Sequence, residues 1–341
     1  MTNRISNYII CLLLVVFVNL QLLCAANGLD KNTIFKSYTL KDGLSNNIVL
    51  CINQDYQGFM WFGTADGLNR YDGYEFQRYR HDPHDSTTLS NNHVNGICFD
   101  REKQLWVATN EGLDYYDREH DAFIDFENMF DVQLEKTITS FMEDSQGNYW
   151  IGTMNSGLYI FNKKEEILNK VSDQENNKLL SDNGVRFIYE DQEQQVWIGT
   201  QKGLCMYLPK QNTFKSFTFQ RDEGDLPKDL RCVQEDADWL WLGTEGSGLI
   251  QFNKQTYDYK IYSVEDEIEE GQGSNLIRAL YKDKNGSLWI GSIKGLYIFD
   301  PGTGKFSRYS HDPAHPGSLN INSVRDIFQD YESEEKFLIP I

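Results

Sequence analysis

The stretch that decides the fold is Gly147-Asn148-Tyr149-Trp150-Ile151-Gly152-Thr153, followed by Gly157-Leu158-Tyr159-Ile160-Phe161. It reads as two apolar strands joined by a tight turn, with a glycine on each side of the turn. Versions of it recur around other tryptophans along the chain, which are Trp61, Trp106, Trp197, Trp241 and Trp289. Successive tryptophans are 45, 44, 47, 44 and 48 residues apart. A near-constant period of this length indicates a repeat architecture.

Each repeat divides into four short pieces that predict four strands. The first is an apolar run ending in aspartate, such as Val185 to Asp191, and a turn joins it to the tryptophan strand. The Gly-Leu strand and a piece with spaced aromatic residues follow, such as Phe123 and Phe126. Apolar and polar residues alternate, which favours strands over helices. Four strands in about 45 residues are typical of a propeller blade, so we predict an all-β protein with a β-propeller of four-stranded blades.

The ends of the repeat region predict how the ring closes. Phe35 to Tyr38 resembles a fourth piece, and Ile321 to Asp330 resembles a first piece, so the two are expected to join in one mixed blade. This gives a seven-bladed plan with six complete blades and an incomplete closing blade. Residues 331–341 fit no repeat, and the chain looks cut short there. We expect that tail to be poorly packed.

The first 26 residues have the features of a secretory signal peptide. Arg4 precedes an apolar run from Tyr8 to Leu23, and Cys24-Ala25-Ala26 supplies small residues for cleavage. An uncleaved signal anchor is the alternative. Residues 27–341 form the predicted propeller domain. The net charge of −19 argues against nucleic acid and anionic membrane as partners.

No cofactor or metal site is predicted from the cysteines and histidines. Cys51, Cys98, Cys205 and Cys232 are irregularly spaced inside predicted strands, as expected of small buried side chains. His81-Asp82-Pro83-His84 could suggest a metal site. A similar sequence recurs from His311 to His315, however, and Asp-Pro initiates turns, so a solvated turn is favoured. The acidic run from Glu265 to Glu270 is interpreted as a solvated loop.

The repeated motifs resemble a known family. Leu-Ser-x-Asn occurs at Leu44 and Leu89, and Gly-x-x-Trp-Ile-Gly-Thr and Gly-Leu-x-x-Tyr follow in the same order in most copies. This set resembles the two-component regulator propeller repeat over about residues 35 to 330. The resemblance implies the periplasmic sensor region of a hybrid histidine kinase that senses oligosaccharides released from glycans. It also implies a second propeller as a neighbour. The sequence holds no kinase motif and no DNA-binding module.

An arginine series is the sharpest candidate for ligand binding. Five residues before the aspartate that ends a first piece, the later repeats have Arg186, Arg231, Arg278 and Arg325. Earlier repeats have Leu50, Asn95 and Thr139 there. If these strands line the axis, the arginines cluster near one mouth of the channel, where they suit a carboxylate or a sulfate. The alternative is that each arginine forms an ion pair with an acid on its own or the next blade.

Polar loop residues form a second set of candidates. In a propeller, the loops before the first strand and between the second and third strands share one face. On that face we place Asn46, Asn92, His93, Asn183, Asn275, Asp66, Asn110, Glu111, Asn155, Lys202, Glu245 and Lys294. The equal alternative for the asparagines is capping of turns. The repeated tryptophans are predicted to be core, whereas Trp239 lies outside the pattern and is a candidate for an exposed stacking residue.

These observations favour a non-catalytic propeller that recognises an oligosaccharide. No catalytic motif stands out, although paired carboxylates are plentiful. One alternative is a glycan lyase or hydrolase that uses carboxylates or His93 at the mouth. Another is a structural module that forms a homodimer or packs on a second propeller.

Overall fold

A computed structural model describes residues 35, 37–172, 180–220, 229–268, 271, 273–315, 317–330 and 337–339. Its dominant feature is six four-stranded antiparallel sheets, in each of which the strands pair in sequence order. These sheets are the six predicted blades, and every pair of neighbouring strands is joined by a short turn. The all-β prediction and the six four-stranded blades are confirmed.

The strand bounds follow the repeat. Blades 1 to 3 consist of β1 (Val49–Gln54), β2 (Met60–Thr64), β3 (Gly67–Tyr71) and β4 (Phe76–Tyr79); β5 (Val94–Phe99), β6 (Leu105–Thr109), β7 (Leu113–Asp117) and β8 (Ala122–Asp125); β9 (Ile138–Glu143), β10 (Asn148–Thr153), β11 (Leu158–Asn162) and β12 (Ile167–Val171). Blades 4 to 6 consist of β13 (Val185–Glu190), β14 (Val196–Thr200), β15 (Leu204–Leu208) and β16 (Thr213–Phe217); β17 (Leu230–Asp236), β18 (Trp239–Thr244), β19 (Leu249–Asn253) and β20 (Tyr259–Tyr262); β21 (Ile277–Lys282), β22 (Leu288–Ser292), β23 (Gly295–Asp300) and β24 (Lys305–Tyr309).

The blades are arranged around an axis that the first strands line. Each first strand contacts the first strand of the next blade, from β1 against β5 through to β17 against β21. Second strands are almost wholly buried between neighbouring sheets, whereas most residues of the fourth strands are half-buried or exposed. One sheet cannot cover both of its apolar faces, and stacking against neighbours removes them from water.

A buried hydrogen bond fixes the first hairpin of five blades. The tryptophan Nε1 donates to the aspartate that follows the first strand, at 2.8 Å between Trp150 and Asp144 and at 3.0 Å or less in blades 1, 2, 4 and 6. The other carboxylate oxygen of Asp144 accepts the turn amides of Gln146 and Asn148. The six repeated tryptophans are at most 5% exposed, which confirms that they are core residues.

Every first strand contains a β-bulge near its start. The register shifts around the second residue of each strand, so this residue is left without a partner on the second strand. Opposite the bulge lies the glycine of the Trp-x-Gly motif. A Cβ on Gly152 would lie 2.3 Å from Ser140 Oγ and 2.6 Å from Val185 Cγ1 of the next blade. Blade 2 reverses the arrangement, since Gly96 faces Ala108.

The segment 319–330 lies between blade 6 and blade 1. Val324 approaches Gly291 of blade 6 as Val185 approaches Gly152, and Leu319 and Ile327 are buried with it. On the other side, the backbone amide of Ile52 in blade 1 donates to Asp326 at 2.9 Å. The segment therefore bridges the two ends of the row of blades.

Phe35–Tyr38 and Ile321–Asp330 are predicted to be the outer and inner strands of one mixed blade, and the described residues of these segments do not form such a sheet. Within these two segments, strand structure among the described residues is confined to β25 (Phe328–Gln329), which pairs with β26 (Phe337–Leu338). Leu338 and Ile339 are half-buried against the cores of blades 1 and 6, so the expectation of a poorly packed tail is wrong for these residues. The tail residues contribute apolar side chains that the repeat pattern did not reveal.

Two short helices were not predicted. Helix α1 (Phe126–Phe130) begins where Asp125 accepts two backbone amides, so Phe126 belongs to it and not to the fourth strand. Helix α2 (Val264–Glu267) contains the first residues of the acidic run. Its first residue, Val264, is fully buried and anchors this helix against the core. That part of the run is not a loop.

The predictions for Trp239, for the cysteines and for the signal peptide compare with the structure as follows. Trp239 lies in β18 and is half-buried. All four predicted strand cysteines lie in strands as free thiols, Cys205 buried and the other three half-buried. The predicted signal peptide, residues 1–26, lies outside the described residues.

Candidate ligand-binding site

The arginine series lies at the bulges. Six residues occupy the bulge position, one in each blade, and we call them the bulge ring: Leu50, Asn95, Thr139, Arg186, Arg231 and Arg278. All six are half-buried near the start of the first strands, at one end of the axis. Arg325, five residues before Asp330, lies in the bridging segment.

In blades 2 to 4 the bulge residue reaches the start of the next blade's first strand. Asn95 Nδ2 donates to Ile138 O at 2.8 Å, and Thr139 Oγ1 donates to Val185 O at 2.9 Å. Arg186 continues the pattern with a charged pair, because its Nε and NH2 groups donate to the two oxygens of Asp229 at 2.7 and 2.9 Å. A bidentate arginine–carboxylate pair is a strong contact, and this one joins blades 4 and 5.

Arg231 is also neutralised by acids. Its guanidinium lies 3.0 Å from Asp229 and 2.6 Å from Glu245. Two arginines therefore share the carboxylate of Asp229 at the junction of blades 4 and 5, and Glu245 adds a second carboxylate to Arg231. Ion pairing, the alternative considered for the whole series, describes these two members.

Arg278 and Arg325 differ from the other two arginines. Among the described residues, no carboxylate lies within ion-pairing distance of either guanidinium. The two are close enough that burial and then the charge of Arg278 lower the pKa of Arg325. His93 of the next loop completes the group, and its pKa is lowered by burial and by Arg325. We call Arg278, Arg325 and His93 the basic mouth.

The predicted shared face of loops is present. The backbone amides of Gly67, Gly157 and Gly248, each at a turn between second and third strands, donate to Asn92 O, Asn183 O and Asn275 O at 2.7 to 3.2 Å. These asparagines belong to the loops that precede the next blade. The two sets of loops therefore meet at every one of these three junctions.

Most polar side chains on this face already have partners within the fold. Asn46, Asn92 and Asn275 accept backbone amides within their loops, and Asn110 accepts from Asn95. Lys202 pairs with Asp182, Asp66 with Arg80, and Lys294 Nζ donates to Gly271 O. Glu111 and Asn155 are exposed. Capping thus accounts for three of the asparagines.

The histidine-containing turns have a structural role. His81 and His311 use Nδ1 to contact Leu89 O and Leu319 O at 2.6 and 2.7 Å, and their backbone amides donate to Asn92 and Asn322. The described residues contain no group of three or more His, Cys, Asp or Glu side chains arranged to hold a metal ion. These turns fix the loops that precede blade 2 and the bridging segment.

Sequence reasoning missed the acid that neutralises two arginines. Asp229 precedes the first strand of blade 5 and falls outside the repeated motif. It also missed Asp326, where burial raises the pKa of the carboxyl to about 6 although it accepts the amides of Ile52 and Ile327. The position of Asp326 directly after Arg325 was the one sequence feature that could have identified it.

Comparisons with known proteins agree with the architecture. The sequence profile of the two-component regulator propeller family matches residues 43–66, 88–111, 133–155, 179–202 and 271–294. Histidine kinase P4 of Formosa agariphila is 33% identical over 234 residues, which are 67% of this chain and 17% of that protein. The extracellular domain of the hybrid two-component system BT3049 from B. thetaiotaomicron is 25% identical with a TM-score of 0.75, and the match covers 90% of this chain and 40% of that one.

A second solved structure has the same fold. The extracellular domain of BT4673 from B. thetaiotaomicron is 23% identical, with a TM-score of 0.75, over 90% of this chain and 39% of that one. This chain therefore spans less than half of the length of each of these relatives. No helix in the described part of the chain is long and apolar enough to cross a bilayer.

Proposed function

We propose, from the premise that this chain carries the repeats of the two-component regulator propeller family, that it is a periplasmic sensor propeller of a hybrid two-component regulator. Its ligand is an oligosaccharide, and binding controls genes for polysaccharide use. The propeller is like extracellular domains of hybrid two-component systems, which supports the sensor role. Kinase and DNA-binding functions belong to other parts of such a regulator.

The observation that carries the ligand proposal is the unbalanced charge of the basic mouth. The chain has a net charge of −19, yet no carboxylate among the described residues forms an ion pair with Arg278 or Arg325. Two guanidinium groups close together repel each other, and a bound anion relieves that repulsion through charge-assisted hydrogen bonds. We therefore propose an acidic oligosaccharide, whose carboxylate or sulfate group binds at this mouth.

The loop face supplies the rest of the proposed recognition surface. Exposed Glu111 and Asn155 differ between repeats at one structural position, as expected of side chains that read a ligand. The carboxylate of Glu245 pairs with Arg231 and would disfavour an anion there, which leaves the side of Arg278 and Arg325 for an acidic ligand. A second propeller or a second copy of this chain is the proposed protein partner.

We also propose a seven-bladed plan. The bridging segment occupies the place of a first strand, and an apolar cleft of about 320 Å³ lies beside it, lined by residues such as Tyr38, Val49, Phe62 and Leu338. The outer strands of a seventh blade would cover these side chains. A neighbouring propeller or a second copy of this chain could also pack against this cleft.

Isothermal titration calorimetry tests the ligand proposal directly. Unsaturated uronate disaccharides and sulfated disaccharides are expected to bind, whereas neutral disaccharides of the same size are not. Arg278→Ala with Arg325→Ala should abolish binding with little change in thermal stability, because neither guanidinium forms an ion pair with any residue that the structure describes. Lys305→Ala, which removes an exposed cation from the outer strand of blade 6, is the matched control. Equal binding of acidic and neutral sugars, or unchanged binding by the double variant, would contradict the proposal.

A further inference from the structure

Three blades carry a basic side chain at one position, and in two of them, blades 2 and 5, it is a strut that reaches the preceding blade. It belongs to the first residue after the third strand, which is Arg118 in blade 2, Lys163 in blade 3 and Lys254 in blade 5. Arg118 lies 2.8 Å from Asp55 of the preceding blade. Lys254 lies 2.6 Å from Glu235 of its own blade and 3.4 Å from Asp191 of the preceding blade. Lys163 pairs with Glu143 at 3.2 Å and lies over the ring of Tyr149.

Blade 4 lacks this basic side chain, as do blade 1, where Asp72 follows β3, and blade 6, where Pro301 follows β23. The third strand of blade 4 ends at Leu208, so the equivalent residue is Pro209. The turn itself is the same, because the residue three positions further on, Asn212, has a positive φ of 47° like Asp121 and Glu166 in blades 2 and 3. Only the cationic side chain is missing.

A cleft of about 430 Å³ occupies the vacated space between blades 3 and 4. Two of its lining residues correspond to the acids that Lys254 contacts one blade further on. Asp144 is the aspartate of the preceding blade and Glu190 is the glutamate of the same blade. Amide side chains of Asn148 and Gln195 and the ring of Tyr207 also line it.

The charges of the cleft are only partly balanced. Asp144 is 4% exposed, and its Oδ2 accepts from Trp150 Nε1 and from the neutral amide of Asn148. The same oxygen of Asp55 in blade 1 instead has the guanidinium of Arg118 as a partner. Glu190 has Arg101 at 3.1 Å, but that arginine is 53% exposed. Lys170 also lines the cleft, with its Nζ paired to Glu135 at 3.0 Å. A volume of this size accommodates a ligand of one or two sugar units.

We propose that this cleft binds a small organic cation, which places a primary ammonium group between Asp144 and Glu190, where blade 5 places the ammonium group of Lys254 between Asp191 and Glu235. The amides of Asn148 and Gln195 hydrogen-bond the hydroxyl groups of the ligand, and Tyr207 packs against its carbon skeleton. An amino sugar has this combination of groups. The site is separate from the basic mouth and prefers the opposite charge, so either proposal can fail without the other.

Calorimetry on the purified chain at low ionic strength provides the test. Glucosamine and putrescine are the probes, and N-acetylglucosamine is the neutral match for glucosamine. Both amines are expected to bind, and N-acetylglucosamine is expected to bind at least about tenfold more weakly, because a charge-assisted contact is lost. Failure of both amines to bind, or equal binding of the neutral sugar, overturns the proposal.

Two variants locate the binding. Pro209→Lys restores the strut, so it should abolish amine binding and raise the midpoint of thermal unfolding, whereas Pro209→Met fills space without charge and should not stabilise the chain as much. Glu190→Gln should weaken glucosamine binding at least about fivefold. If Pro209→Lys misfolds, the effect of Glu190→Gln on glucosamine binding is sufficient to test the site. Amine binding that is unchanged in Glu190→Gln places the ligand elsewhere and refutes this site.

Discussion

Replacing the buried carboxyl of Asp114 with an amide should stabilise this protein at alkaline pH. Asp114 lies in β7, is 1% exposed and accepts the backbone amide of Ser90 at 2.9 Å. Burial, and to a smaller extent Asp125, raise the pKa of this carboxyl to about 7. Blade 1 has Asn69 at the same place, where its Oδ1 accepts the amide of Ser45 and its Nδ2 donates to Ser45 Oγ, both at 2.8 Å.

The magnitude follows from linkage between protonation and folding. An unfolded aspartate has a pKa near 3.9, so between about pH 4 and pH 7 the folded chain holds a proton that the unfolded chain has released. Wild-type stability therefore falls as the pH rises through this range and stays low above it. A difference of about 3 pKa units corresponds to roughly 4 kcal/mol at pH 8 and, on the same scale, about 1.5 kcal/mol at pH 5.

Urea unfolding monitored by tryptophan fluorescence at pH 8, 5 and 3 measures the effect. Asp114→Asn should gain up to about 4 kcal/mol at pH 8, less at pH 5, and nothing at pH 3, where Asp114 is protonated in both states. The matched control is Asn69→Asp, which should lose stability with the same pH profile. A gain that is equal at pH 8 and pH 5, or no gain at pH 8, would refute the assignment of a buried charge penalty to Asp114.

Three further variants test the packing between blades, each by thermal or urea unfolding. Gly152→Ala should cost about 1–3 kcal/mol, because the new Cβ meets Ser140 and Val185, and adding Ser140→Gly should restore much of the loss by reproducing the Gly96 and Ala108 arrangement; no loss in the single variant would contradict the close approach. Lys254→Ala should cost about 3–5 kcal/mol by leaving Glu235 and Asp191 buried without a cation, and a cost under 1 kcal/mol would show that the pair is not buried in solution. Arg186→Ala should cost about 1–3 kcal/mol while Arg278→Ala stays within about 0.5 kcal/mol, and equal losses would show that Arg278 also has an ion-pair partner.

The positions of the candidate arginines could be predicted from the repeat, whereas their ion-pair partners could not. The position five residues before the aspartate of each repeat was identifiable by counting, and the structure places it at one end of the axis in every blade. Whether a given arginine is neutralised depends on Asp229 and Glu245, which lie outside that count. The strut that blade 4 lacks was equally invisible, because Pro209 is unremarkable until Lys254 and Arg118 are seen between their blades.

The sequence by itself determined the blade. A tryptophan six residues after an aspartate, a turn between them and a Gly-Leu strand are local features, and local hydrogen bonds such as that of Trp150 to Asp144 are enough to specify the first hairpin. Only the tertiary structure decided the bulge, the charge balance of each arginine and the packing of residues 319–330 and 337–339. These depend on what the next blade presents across the interface, and contacts between residues more than 40 positions apart leave no period in the sequence that marks them.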